Sequence, residues 1–323
     1  MHALFNRATA LALATGVAAA CATPEIDPRY RPSASALEII AVLDRHVPDD
    51  TYRFEPARDF TDRNVYRSSL LRLENLEQLH GDALRAGHLD GAIAFAKGRA
   101  LERLRAYDLA ADAYHLAAER EPKLRDEALR SADLLDTLHE VVSGATPLAP
   151  AKKSGERIGE LALPDVDAAL ARFEERAGKL EELARAAAGT HHAYIIAEEI
   201  ERTDLERARY FTRLRDVLPD GDVRAVSELE RVALRHGDSK HAARHLLALA
   251  DLYADLSIDY VEDHPPEGLL FDPGAFRDLV DSGSRIYEMV ASRDGAPEKI
   301  EAARRLEAFL AFALSVDRDR FTP

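Results

Sequence analysis

The chain of 323 residues has no tryptophan, two methionines and a single cysteine. One cysteine can close no internal disulfide, which excludes a disulfide framework, and it cannot build a thiolate cluster of the structural zinc type. Basic residues are also scarce: 43 Lys and Arg stand against 58 Asp and Glu, for a net charge of −15. That balance disfavours phosphate backbones and anionic lipid surfaces, which need concentrated positive charge. No arginine-rich block and no aromatic-basic interleaving occurs, so no nucleic-acid partner is expected. No run approaches the roughly 20 apolar residues of a membrane-spanning helix. Sustained Val/Ile/Thr alternation is missing, as are GxSxG, a glycine-rich phosphate loop and CxxC. With no catalytic motif the chain is not expected to be an enzyme, and it is expected to carry no cofactor.

The position of the lone cysteine is informative. Arg7 is the only basic residue ahead of it, and Ala8 to Ala20 carry no charge. A basic lead, a short apolar run and small residues before a cut describe a secretory signal peptide over 1–20. Ala18-Ala19-Ala20-Cys21 resembles the lipobox of bacterial lipoproteins, with Ala18 where that family usually has Leu. The resemblance implies that the Cys21 thiol carries a diacylglycerol and that Cys21 becomes the N-terminus. Ala22, in place of the Asp that holds many such proteins at the inner membrane, implies an outer-membrane address facing the periplasm. Residues 21–34, with three prolines, read as an extended tether.

Abundant Ala, Leu, Glu and Arg favour helix, because these side chains lose little rotamer freedom there. The periodicity predicts helices over 35–46, 65–86, 89–104, 108–120, 123–142, 165–188, 191–217, 221–236, 239–261, 274–292 and 297–316. The natural division is the Pro/Gly-rich segment 144–163, read as a linker or long loop between helical domains at 35–143 and 164–323. Beyond it Val166, Leu170, Phe173, Ala177, Leu180 and Ala184 recur at spacings of four and three. A second stripe of Tyr194, Ile196, Ile200, Ala208, Phe211 and Leu214 follows, which predicts an antiparallel hairpin.

The stretch Gly98 to Pro122, GRALERLRAYDLAADAYHLAAEREP, resembles a tetratricopeptide repeat whose hairpin covers 89–122. The motif's small residues fall on Gly98, Ala110 and Ala117, its aromatic on Tyr114, its turn on Tyr107-Asp108 and its closing proline on Pro122. Ala94, Lys97 and Leu101 stand where the family often has Trp, Leu and Tyr. The resemblance implies an all-α fold: a tetratricopeptide-like α-solenoid, or an irregular stack of antiparallel helical hairpins. It also implies that Phe95, Arg99, Glu102 and Arg103 face an open concave groove that contacts partners.

Candidate ligand chemistry is sparse. Asp238, His241 and His245 fall along one strip of a helix, a weak metal candidate against the alternative of a polar strip with Asp238 as cap. Glu77 and His80 have the i, i+3 spacing of di-iron helices but lack a second such pair. His191-His192 sits at a helix start and reads as solvated. No metal is therefore expected. The function expected is a membrane-anchored adaptor or assembly lipoprotein that binds other envelope proteins through a helical groove. The alternatives are a helical-bundle ligand- or metal-binding lipoprotein and an enzyme on an all-α scaffold.

Overall fold

The computed structural model describes residues 65–144 and 165–319. Cys21, the tether at 21–34, the predicted helix at 35–46 and nearly all of the segment at 144–163 lie outside them. The described residues form ten helices and no strand: α1 (Val65–Ala86), α2 (Asp90–Arg103), α3 (Tyr107–Arg120), α4 (Arg125–Ser143), α5 (Val166–Ala186), α6 (His192–Leu214), α7 (Gly221–Arg235), α8 (Ala242–Asp263), α9 (Pro273–Ala291) and α10 (Lys299–Asp319). The fold is all-α, and each helix packs chiefly on its neighbours in sequence, as in helical-repeat and solenoid arrangements. None of the described helices is long and apolar enough to cross a membrane.

Local chemistry sets the helix ends. The Asp165 carboxylate accepts a hydrogen bond from the Ala168 amide at 2.9 Å, capping α5. Asp272 caps α9 in the same way through the Gly274 amide at 2.8 Å, with Pro273 fixed at the first helical position.

Between caps, apolar stripes join the helices into a stack. Helix α2 is sandwiched: Ile93, Ala96 and Ala100 pack with Tyr66, Leu73 and Leu84 of α1, while Ala94 and Leu101 turn toward α3. Ala110, Tyr114 and Ala117 of α3 are fully buried there, at the positions where the repeat motif places its packing residues. A Cβ on Gly98 would lie 2.9 Å from the Tyr114 ring, so only glycine allows α2 and α3 this close. The same cluster continues through Ala128, Ala132, Leu135 and Leu138 of α4 to Leu180 of α5 and Ile195 and Ile196 of α6. Ala208, Ala225, Leu229, Val232, Leu249 and Leu252 then join α6, α7 and α8, and Leu247, Tyr287 and Phe309 join α8, α9 and α10. Tyr194, counted on the buried stripe of α6 from its spacing, is instead half exposed.

Helix α6 is also the polar backbone of the stack. The turn between α2 and α3 holds Arg105 in the left-handed region, at φ 62. From there its guanidinium donates to both oxygens of the buried Glu199 carboxylate, at 2.6 and 2.8 Å. Tyr107 donates to Glu199 at 2.8 Å and Arg103 to Glu198 at 3.2 Å. These contacts fix the start of α6 against the end of α2, and that junction builds the site below.

Candidate functional site

Three elements meet at the α2/α6 junction. Helix α2 carries Glu102 on its inner face one residue before its end, and α3 passes Tyr114 beneath it. The turn after α5 is drawn tight by Gly189 at φ +78 and by the Thr190 hydroxyl, which donates to the Ala187 carbonyl at 2.7 Å. It delivers His191 as the residue capping α6 and His192 as its first residue, with ring centroids 3.6 Å apart.

Both imidazoles converge on one carboxylate. His191 Nε2 lies 3.1 Å from one Glu102 oxygen, and His192 Nε2 lies 3.5 Å from the other. Glu102 is only 1% exposed and His192 5%. Tyr114 donates its hydroxyl to Glu102 Oε2 at 2.9 Å. Burial favours the neutral form of Glu102 and of His191, raising the carboxyl and lowering the imidazole. At Glu102 the contacts with His191 and His192 outweigh burial and hold the carboxyl well below the usual range. At His191 burial outweighs the contact with Glu102, and the imidazole is held below its usual value. Burial and the Glu102 charge push the Tyr114 phenol far up, so it remains a donor.

His192 Nε2 is buried without a hydrogen-bond partner, and Glu102 Oε1 has only the 3.1 Å approach of His191 Nε2. A buried orphan of this kind costs about 1–3 kcal/mol and is rare without a ligand, water or ion to satisfy it. Among the described residues, Glu102, His191 and His192 are the one set of three whose metal-ligating atoms all lie within 4.8 Å of one another. Ligands about 2.0–2.1 Å from a tetrahedral ion are roughly 3.3 Å apart. Glu102 Oε2 lies 3.4 Å from His191 Nε2 and 3.5 Å from His192 Nε2, close to that spacing. The residues present therefore fit a divalent ion.

The cluster is reached from a cleft of about 710 Å³ between α4 and the α5–α6 turn. His191 and His192 form one end of it, Leu134, Leu183 and Ala187 an apolar wall, and Arg130 and Asp133 its charged rim.

No protein-family model matches the chain, and no curated protein compared with it matches. The geometry must carry the functional argument alone.

The structure revises several expectations from the sequence. His191-His192 is not solvated, because the turn folds both rings onto α2. Of the residues expected on an open groove, Glu102 is buried, and the Arg103 and Arg99 side chains are only 4% and 12% exposed. Arg103 is spent on Glu198, Arg99 on Glu127, and Phe95 lies edge-on to Tyr114 with centroids 5.0 Å apart. Glu102 and Arg103 are engaged from the α6 side, by the two histidines and Glu198, whereas Phe95 and Arg99 are engaged from α3 and α4, by Tyr114 and Glu127.

Asp238, His241 and His245 do not converge. His245 turns to Glu201, whose Oε1 lies 2.5 Å from its Nε2 and also accepts from the Ser239 hydroxyl. Asp238 instead lines a second cleft, of about 610 Å³, with Glu198, Glu201 and Lys240. Glu77 pairs with Lys97 at 2.8 Å.

Proposed function

We propose that this protein is a binding protein that holds a divalent transition-metal ion between Glu102, His191 and His192. The observation that carries this reading is the convergence of two imidazoles and a carboxylate, the one such set among the described residues whose ligating atoms all lie within 4.8 Å of one another. An ion there would also satisfy the buried His192 Nε2, which has no hydrogen-bond partner. A donor set of two imidazoles and a carboxylate, with no thiolate, suits zinc and its first-row neighbours better than copper(I), calcium or magnesium. The test is metal content after equilibration with zinc and removal of the free ion. One zinc per chain is expected, lost in His191→Ala with His192→Ala and kept in His241→Ala with His245→Ala. No bound zinc, or zinc that follows the second pair, would refute the reading.

We further propose that the helical body is anchored to a membrane by a diacylglycerol on Cys21 and faces the periplasm at the outer membrane. The lipobox-like run Ala18 to Cys21, the absence of a partner cysteine and the proline-bearing tether favour this. In that setting the stack would present its ligand, or the surface around it, to other envelope proteins.

A further inference from the structure

We infer that the metal centre keeps one coordination position open toward the cleft, and that this position takes the carboxylate of a small amphipathic acid whose apolar part lies along Leu134, Leu183 and Ala187. The inference rests on the metal reading above and adds a ligand to it.

The protein supplies three ligands, and among the described residues no fourth His, Cys, Asp or Glu converges on them. The Tyr114 hydroxyl is committed to Glu102, to which it donates at 2.9 Å. Arg99 and Arg103 are donors only. The Thr190 hydroxyl is committed to the Ala187 carbonyl. Three protein ligands with a fourth position left to water or an exogenous group is the arrangement of exchangeable zinc sites, whereas closed structural sites use four.

The open position has a direction. Both histidines line the cleft, while Glu102 lies behind them against Tyr114 and is absent from the cleft wall. An ion held by all three therefore has protein at its back and the cleft in front.

Charge and shape then narrow the ligand. A divalent ion exceeds the single charge of Glu102 by one. On the walls Glu127 is paired with Arg99 at 3.1 Å, and Arg130 and Asp133 add one formal charge of each sign. The surplus positive charge sits on the metal and favours an anionic head. Beyond it the wall is aliphatic, and the volume of about 710 Å³ suits a small organic molecule. A carboxylate on a short alkyl chain matches both ends, and inorganic phosphate matches only one.

The test uses full-length protein loaded with cobalt(II), whose visible absorption reports its coordination shell. Octanoate, acetate and phosphate are titrated in turn, and octanoate binding is also measured calorimetrically on the chelator-treated protein. Octanoate is expected to shift the cobalt bands saturably, to bind at least about tenfold more tightly than acetate or phosphate, and to lose at least about tenfold in affinity when the metal is removed. Cobalt bands that no anion shifts would mean a closed shell and would overturn the inference while leaving the metal reading intact. Equal affinity for acetate and octanoate, or octanoate binding that ignores the metal, would overturn it as well. Failure to take up cobalt at all would remove the metal reading itself and the inference with it.

Discussion

His191 Nε2 lies 3.1 Å from a Glu102 oxygen, although 89 residues separate the two in the chain. The contact joins the α2–α3 hairpin to the α5–α6 hairpin, and an ion held there would span the same junction. Ligand that binds only the folded state stabilises it by about 2.7 kcal/mol at a hundredfold excess over Kd. Zinc at that excess is therefore expected to raise the unfolding midpoint of the wild type. The same addition should leave His191→Ala with His192→Ala unchanged. Equal stabilisation of both proteins would place the bound zinc elsewhere.

Tyr114 tests the packing beneath the site. Its ring fills the space beside Gly98 and its hydroxyl serves Glu102, all within a buried cluster. Tyr114→Ala is expected to cost about 3–5 kcal/mol. Tyr114→Phe keeps the ring but leaves the buried carboxylate one donor short, at about 1–3 kcal/mol. Urea denaturation separates the two: equal losses would mean that the ring contributes nothing beyond its hydroxyl, and an unchanged Tyr114→Phe that the hydroxyl contributes nothing.

Gly98→Ala probes the same contact from the other side. A methyl group 2.9 Å from ring carbons overpacks the α2/α3 interface, for an expected loss of about 1–3 kcal/mol. The helical preference of alanine over glycine acts in the opposite direction by up to about 1 kcal/mol. A more stable variant would show that the two helices can separate without penalty.

Acid sensitivity should come in part from Asp204 on α6. Burial raises its carboxyl, but His236, Arg231 and Arg235 lower it further, so its folded value lies below the ordinary 3.8. His236 Nε2 is 2.9 Å from the carboxylate, and Arg231 and Arg235 donate at 2.8 and 3.1 Å. A depressed folded value contributes stability above the unfolded value, which is lost as pH falls through the folded one. Unfolding free energy should therefore drop below about pH 4, and less steeply in Asp204→Asn. An identical acid limb in the variant would exclude Asp204 as a source.

The proposed anchor has its own test in cells. Cys21→Ser is expected to abolish lipid labelling and to leave the precursor uncleaved or the protein unattached. Ala22→Asp should shift part of the protein toward the inner membrane. Retention and processing unchanged by Cys21→Ser would contradict lipid attachment.

The helices were legible in the sequence because each advertises its own buried stripe. Phe173 and Leu180 repeat at seven residues and are both buried on α5, and Gly98, Tyr114 and Ala117 meet as the repeat-like spacing implies. The site was not legible, for a physical reason. Periodicity tells which face of a helix is covered but not which distant polar groups share that cover. Glu102, Glu199 and Asp204 are three buried acids among 58 acidic residues, and nothing local distinguishes them from the exposed majority. The neighbouring histidines at 191 and 192 were visible as a pair, but a helix start is ordinarily wet. Only the tight turn after α5, laid against α2, makes theirs dry.

The most direct measurement of the central claim is anomalous X-ray scattering from crystals of zinc-equilibrated protein, recorded on both sides of the zinc absorption edge. The account predicts one strong peak about 2.0–2.1 Å from Nε2 of His191, Nε2 of His192 and a Glu102 oxygen. A map with no peak between those three side chains, or with its only peak beside Asp238 and His241, would contradict it.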